Sequence, residues 1–319
     1  MSANGTGTKI GTISPAPNMQ PAPFDGVALA LVLFLMFTWG LNQVAIKIGN
    51  QGFNPMLMAS GRSILGGLLV FMWCQYKKVP LFNKDGTFWP GILAGLLFGS
   101  EFVLVFMAMD YTNVGRVTLM MNMMPFWVAI GSHFLLGERM SLQAVIGMLI
   151  AFGGVFLVFS DRVSSVGAYA YIGDLMALAG GIMWGMTNIV IKRSALTRAA
   201  PEKVLLYQLA VASLVPLPFM ALSGSLIRSP DIWSVIAFLF QSVFVVAFTY
   251  PLWFWMLRRY PVSKLSNFAF LTPAFGVLMS GLLLGEALGW KIFVALVLIA
   301  LGLIIINRPV KSGSHKAAS

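Results

Sequence analysis

Apolar residues in this chain run in long blocks, broken by short connections that are polar or carry Pro and Gly. A helix needs about 20 apolar residues to cross a hydrocarbon core of about 30 Å, at 1.5 Å of rise per residue. Ten blocks reach that length: residues 26–48, 56–76, 88–110, 114–136, 141–160, 171–192, 202–223, 232–257, 262–284 and 288–307. The longest connection, Lys77–Thr87, is too short for a soluble domain. The pattern predicts an all-α integral membrane protein with ten transmembrane helices, flanked by a disordered tail (1–25) and a short polar tail (308–319).

Composition agrees. Of 319 residues, 58% are apolar and 10% charged, with a mean hydropathy of +0.85. Soluble domains carry about 25% charged residues, so this chain cannot cover a water-facing surface. The net charge of +11 would suggest nucleic acid in a soluble protein. Here the cations sit in the connections, so no nucleic-acid partner is expected and membrane lipids are. With an inward N-terminus, only Lys47, Arg62, Arg116, Arg162, Arg228 and Lys291 lie outside or in outer helix halves, leaving fifteen of 21 basic residues inside. The positive-inside bias therefore predicts both termini in the cytoplasm. One cysteine, Cys74, excludes an internal disulfide, and two distant histidines, His133 and His315, argue against a metal site.

The chain also repeats itself. Trp39-Gly40-Leu41-Asn42-Gln43 leading to Ile46-Lys47 matches Trp184-Gly185-Met186-Thr187-Asn188 leading to Ile191-Lys192, 145 residues later. Pro125 through Leu136-Gly137-Glu138 matches Pro273 through Leu284-Gly285-Glu286, 148 residues later. The halves, 26–160 and 161–307, hold five spans each. Because five is odd, the second half must be inverted, an arrangement typical of secondary transporters with a site near the midplane. Inversion is expected to put Trp39 and Trp184 on opposite sides of that site.

The segments WGLNQVAIKIG (39–49), NPMLMASGR (54–62) and PFWVAIGSHFLLGER (125–139) resemble the EamA family of the drug/metabolite transporter superfamily. The resemblance covers about residues 26–307. It implies a ten-helix bacterial inner-membrane transporter of amino acids, nucleotide-related metabolites, sugars or drugs, mostly outward. The second half departs from the pattern, with Ala287 where the first has Arg139.

Polar groups inside apolar spans are the candidate chemistry, since intramembrane charge is costly and tends to be functional. Glu101 lies about 14 Å deep and Arg62 about 9 Å by the helical rise, close enough to pair. Glu101 is the candidate for a proton or amine, Arg62 for a carboxylate, with a structural salt bridge or a snorkelling Arg62 as the plainer reading. The amides Asn42, Gln43, Asn122, Asn188 and Asn267 either crosslink helices or face a wet cavity. The aromatics Trp39, Phe102, Trp184, Tyr250, Trp253 and Phe270 suit an amphipathic solute. Met123 is the one methionine of its cluster considered for the site. Pro125 and Pro273 predict matched bends. Gly91, Gly95 and Gly99, Gly181 and Gly185, and Gly281 and Gly285 predict close helix contacts. Lys47 and Lys192 are read as snorkelling helix-end lysines.

No HExxH, Walker loop or nucleophile–base arrangement appears, so neither a cofactor nor an enzymatic role is expected. The expectation is a secondary transporter, and an exporter by the family resemblance, of amino acids or related amphipathic metabolites. It would alternate access around a central cavity, with proton coupling through Glu101. The alternatives are a flippase for a phosphorylated or lipid-linked substrate, or a membrane-embedded enzyme or receptor scaffold.

Overall fold

The computed structural model describes residues 24–112, 114–160, 169–221, 224–285 and 289–307. Among them are ten helices long and apolar enough to cross a membrane. They are α1 (Gly26–Gly52), α2 (Pro55–Tyr76), α3 (Phe88–Ala108), α4 (Arg116–Leu136), α5 (Leu142–Phe159), α6 (Ala170–Arg193), α7 (Pro201–Met220), α8 (Ile232–Arg259), α9 (Val262–Leu283) and α10 (Trp290–Asn307). Five of the ten starts have a local cause. Asp25, Asn54, Ser141 and Asp231 accept hydrogen bonds from first-turn amides, and Pro55 and Pro201 sit where a missing N–H costs nothing. Of the expected N-terminal tail, Phe24 and Asp25 are described: Asp25 caps α1 and the Phe24 ring stacks on Phe268 at 5.4 Å. Most of both tails lies outside the described residues.

Helix neighbours respect the internal repeat. α1 packs on α9 as α6 packs on α4, α3 packs on α6 as α8 packs on α1, and α2 meets α8 as α7 meets α3. Exchanging each helix for its counterpart five places along returns these principal contacts. The α2–α7 and α5–α10 pairs map onto themselves. Residues follow suit. A Cβ on Gly40 would meet Thr272, Phe275 and Gly276, and one on Gly185 would meet Met124, Trp127 and Val128, which are the equivalent positions.

Because lipid is as apolar as a leucine side chain, close packing holds such helices together. Gly91, Gly95 and Gly99 form the α3 stripe that receives Tyr207, Val211 and Val215 of α7, and Gly181 lies against Met120 and Met121 of α4. Gly285 does not serve contact. It has nothing within 4 Å of a would-be Cβ and, like Gly137, adopts the left-handed conformation that ends a helix (φ 68° and 71°). Glu286, the last residue of that matched block, lies outside the described residues. Leu68, Leu149, Phe156 and Val297 are exposed around the outside, as are Trp89, Trp233 and Trp290 at span starts, where interfacial aromatics belong.

The spans that carry the matched prolines Pro125 and Pro273 both break just before the proline. In α4 the helix stops at Met121 and resumes at Met124, then widens to π geometry over Ser132–Leu136. In α9 a 3-10 turn at Phe268–Phe270 separates two α segments. On the face opposite the N-terminus, Phe53 and Ile227 form a small antiparallel bridge between the α1–α2 and α7–α8 connections.

Candidate functional site: a central aromatic cavity

Eight of the ten spans, all but α5 and α10, line one central cavity of about 190 Å³. Helical spacing explains the contributions. Trp39, Asn42, Gln43 and Ile46 form one stripe of α1, and Phe98, Glu101, Phe102 and Val105 form one stripe of α3. α6 supplies Trp184, Thr187 and Asn188, and α8 supplies Tyr250, Trp253 and Phe254. Arg62 lies near the start of α2 and Val117 near that of α4, so the cavity extends from mid-span towards the face opposite the N-terminus.

Aromatic packing fixes its floor. The Trp39 ring lies 5.2 Å from Trp253, 6.0 Å from Tyr250 and 6.5 Å from Trp184, centroid to centroid. The two equivalent tryptophans therefore stand side by side rather than across the site, because both lie near the axis relating the halves. The indole N–H groups of the buried Trp39 and Trp253 are satisfied, as burial demands. Trp39 Nε1–H donates to Thr249 Oγ1 (3.0 Å), and Trp253 Nε1–H donates to Asn188 Oδ1 (3.1 Å). Asn188 and Asn122 each also donate to the carbonyl four residues back, Trp184 O and Thr118 O.

Other polar atoms have no such partner. Asn42 Oδ1, Glu101 Oε2 and both amide atoms of Gln208 are buried without a hydrogen bond. Arg62 and Glu101, 3% and 6% exposed, do not pair with each other. The guanidinium instead lies over the Phe102 ring, 4.1 Å from its centroid, a favourable cation–π arrangement. A guanidinium and a carboxyl group thus face one cavity with no hydrogen bond between them.

Eleven of the fourteen sequence candidates meet at this cavity: Trp39, Asn42, Gln43, Arg62, Glu101, Phe102, Asn122, Trp184, Asn188, Tyr250 and Trp253. Three do not. Met123 falls at the break in α4, and Met121 takes the lining position. The 3-10 turn in α9 leaves Phe270 fully buried against Phe126 and Phe152, with Asn267 in a separate cavity. Lys192 does not snorkel; it donates to Leu257 O (2.6 Å) and Tyr260 O (3.0 Å) at the end of α8. Sequence reasoning missed Gln208, although a signal existed. Pro55 and Pro201 open equivalent helices, and the same 146-residue shift carries Arg62 onto Gln208.

An all-helical membrane bundle of two interleaved five-helix repeats around one polar-and-aromatic cavity has the build of a solute carrier. The family model described as "EamA-like transporter family" matches residues 26–160 and again 171–308, and the chain belongs to that family. It is 27% identical over 308 residues to "Uncharacterized transporter YvbV" of Bacillus subtilis (strain 168), covering 94% of this chain and 97% of the relative. It is also 27% identical over 292 residues to a "Probable amino-acid metabolite efflux pump" of Escherichia coli (strain K12), covering 88% and 94%. A solved crystal structure shares the fold with a TM-score of 0.76 at 20% identity, covering 86% of this chain and 94% of its own.

Proposed function

We propose that this protein is a secondary exporter of small zwitterionic metabolites with an apolar or aromatic body, such as amino acids and their relatives. The observation that carries this reading is the unpaired Arg62 and Glu101 facing one aromatic-walled cavity. A guanidinium suits a carboxylate and a carboxylate suits an ammonium, and the tryptophan-rich wall suits the remaining apolar part. The efflux pump of E. coli supports the substrate class and the outward direction. The charge bias supports an N-terminal face in the cytoplasm of a bacterial inner membrane. Glu101 is placed to carry a proton when no ammonium occupies it, which would couple export to the proton gradient. Rocking of the inverted halves would expose the cavity to each side in turn.

A phosphorylated or lipid-linked substrate fits less well, because among the described residues Arg62 is the one Lys or Arg lining the cavity, and the carboxyl of Glu101 shares it. The test is counterflow in proteoliposomes with three probe sets: free amino acids, their methyl esters, and their N-acetyl derivatives. Exchange confined to the free zwitterions is expected, faster with a pH gradient. Equal exchange of esters and acetylated forms would defeat the zwitterion reading.

A further inference from the structure

A second cavity, of about 320 Å³, lies at the N-terminal face where the end of α4, the start of α5, the start of α9 and the end of α10 converge. Its polar groups are sorted by sign. Ser132, Asn267 and Asn307 line it, the first two 1% and 4% exposed, and Ser132 Oγ, Asn267 Oδ1 and Asn307 Oδ1 are buried there without a hydrogen-bond partner. Asn307 spends its amide N–H on Leu303 O, so its free group is the oxygen. The half-buried Glu138 carboxylate, which accepts from the Ser263 hydroxyl, completes a set of acceptors. Arg139 and Lys264, both exposed, supply cations at the rim. At the same adjoining ends of α4 and α5, Phe134 and Leu142 are 78% and 75% exposed.

Buried acceptors call for N–H donors, since unsatisfied buried polar groups are costly. Rim cations call for an anion. A ligand that answers both enters ammonium first and leaves its anionic group outside, against apolar surface. A phosphoethanolamine headgroup has that order, with its amine terminal, its phosphate next and its acyl chains beyond. We propose that this cavity seats an aminophospholipid headgroup, with its ammonium among Asn267, Ser132 and Glu138 and its phosphate on Arg139 and Lys264. Basic pockets between transmembrane helices are known seats for lipid headgroups.

The site stands apart from the solute path. The internal repeat maps the mouth residues Val117, Thr118 and Met121 of the central cavity onto Leu265, Ser266 and Ala269 of α9. Those three do not line the second cavity, which uses Ser263, Lys264 and Asn267 on another side of the helix and draws on α5 and α10. The proposal therefore does not depend on what the central cavity transports.

The experiment uses the full-length, delipidated protein in detergent and reads its thermal midpoint against added lipid of constant acyl composition. The headgroups are phosphatidylethanolamine, its mono- and dimethyl derivatives, phosphatidylcholine and phosphatidylglycerol. Each methyl removes an N–H donor, so apparent affinity should fall stepwise and end roughly tenfold weaker, the scale of a lost charge-assisted hydrogen bond. Asn267→Leu and Glu138→Gln should bring phosphatidylethanolamine down to the phosphatidylcholine value, whereas Glu101→Gln should not. Equal affinity for the ethanolamine and choline lipids would overturn the proposal. So would displacement of phosphatidylethanolamine by free glycine, which would mark the cavity as a solute antechamber. The methyl series needs only the unaltered protein, so a variant that misfolds does not remove the test.

Discussion

Arg62 and Gln208 occupy equivalent positions in the two repeats and face the same cavity, yet one is a cation and the other neutral. That difference breaks the symmetry of the site, and on the proposed zwitterion reading it would supply the side that takes the carboxylate. Arg62→Ala should therefore weaken transport of free amino acids by roughly ten- to a hundredfold in kcat/KM, the scale of hydrogen bonds to a charged group. Transport assays in proteoliposomes check this, with membrane accumulation as the control. Glu101→Gln keeps the size and hydrogen-bonding capacity of the side chain. It should accumulate normally but lose its acceleration by a pH gradient, and an undiminished response would make Glu101 structural. Gln208 escaped notice in the sequence because one amide in α7 matches no amide in α2. The pairing is with a different residue type, and only the repeat register reveals it.

At the scale of elements, the stripe of small residues on α3 sets how near α7 can come. A Cβ on Gly95 would stand 2.6 Å from the Val211 Cβ, closer than real carbons approach, whereas one on Gly153 would have nothing within 4 Å. Gly95→Val should lower the thermal midpoint in detergent, by about 1–3 kcal/mol of stability or more for overpacking, and Gly153→Ala should not. The α2–α3 connection is held differently. Lys203, buried at the start of α7, donates to Asp85 (2.8 Å) and to Asn83 (2.6 Å). Hydrogen bonds from Lys203 and Thr87 lower the Asp85 pKa from 3.8 to about 2. A carboxyl depressed on folding stabilises fully above its unfolded value and loses that contribution as pH falls through the folded one. The connection should thus stay resistant to an acid protease at pH 4 and open towards pH 2, and Asp85→Asn should be cleaved at both. Element boundaries were legible in the sequence because apolar runs and Pro/Gly punctuation mark them directly. The side each residue faces was legible only where the helix stays regular. The breaks before Pro125 and Pro273 rotate what precedes them, and Met123, Asn267 and Phe270 consequently lie away from the central site.

For the whole molecule, a topology reporter fused after Asn307 should be active only in the cytoplasm, and one inserted between Ser229 and Pro230 only outside. The reverse pattern would invert both the orientation and the direction of transport proposed above. The fold of the whole was the most legible scale of all, since ten long apolar runs and two matched blocks leave few arrangements open. The cavity's aromatic members such as Phe98 and Phe254 were the least, because a phenylalanine lining a site has the same sequence pattern as one in a core.

The pairing of α5 with α10 also imposes an order in time. α5 is the last span of the first repeat, and its Gly147 and Gly154 stand so near α10 that an added Cβ would lie 2.7 Å from Gly302 O and 2.8 Å from Ala295 O. A ribosome delivers α10 after the other nine described spans. For the interval in which the second repeat is synthesised, the first waits in the bilayer with a glycine-lined flank uncovered, and a single late arrival closes the assembly. Chains terminated after Gly285 should be cleared by membrane proteolysis rather than persist as a stable half, and pulse-chase labelling would show it. Completion of the ten-helix bundle is in that sense self-reporting, because its tenth helix is also the clasp.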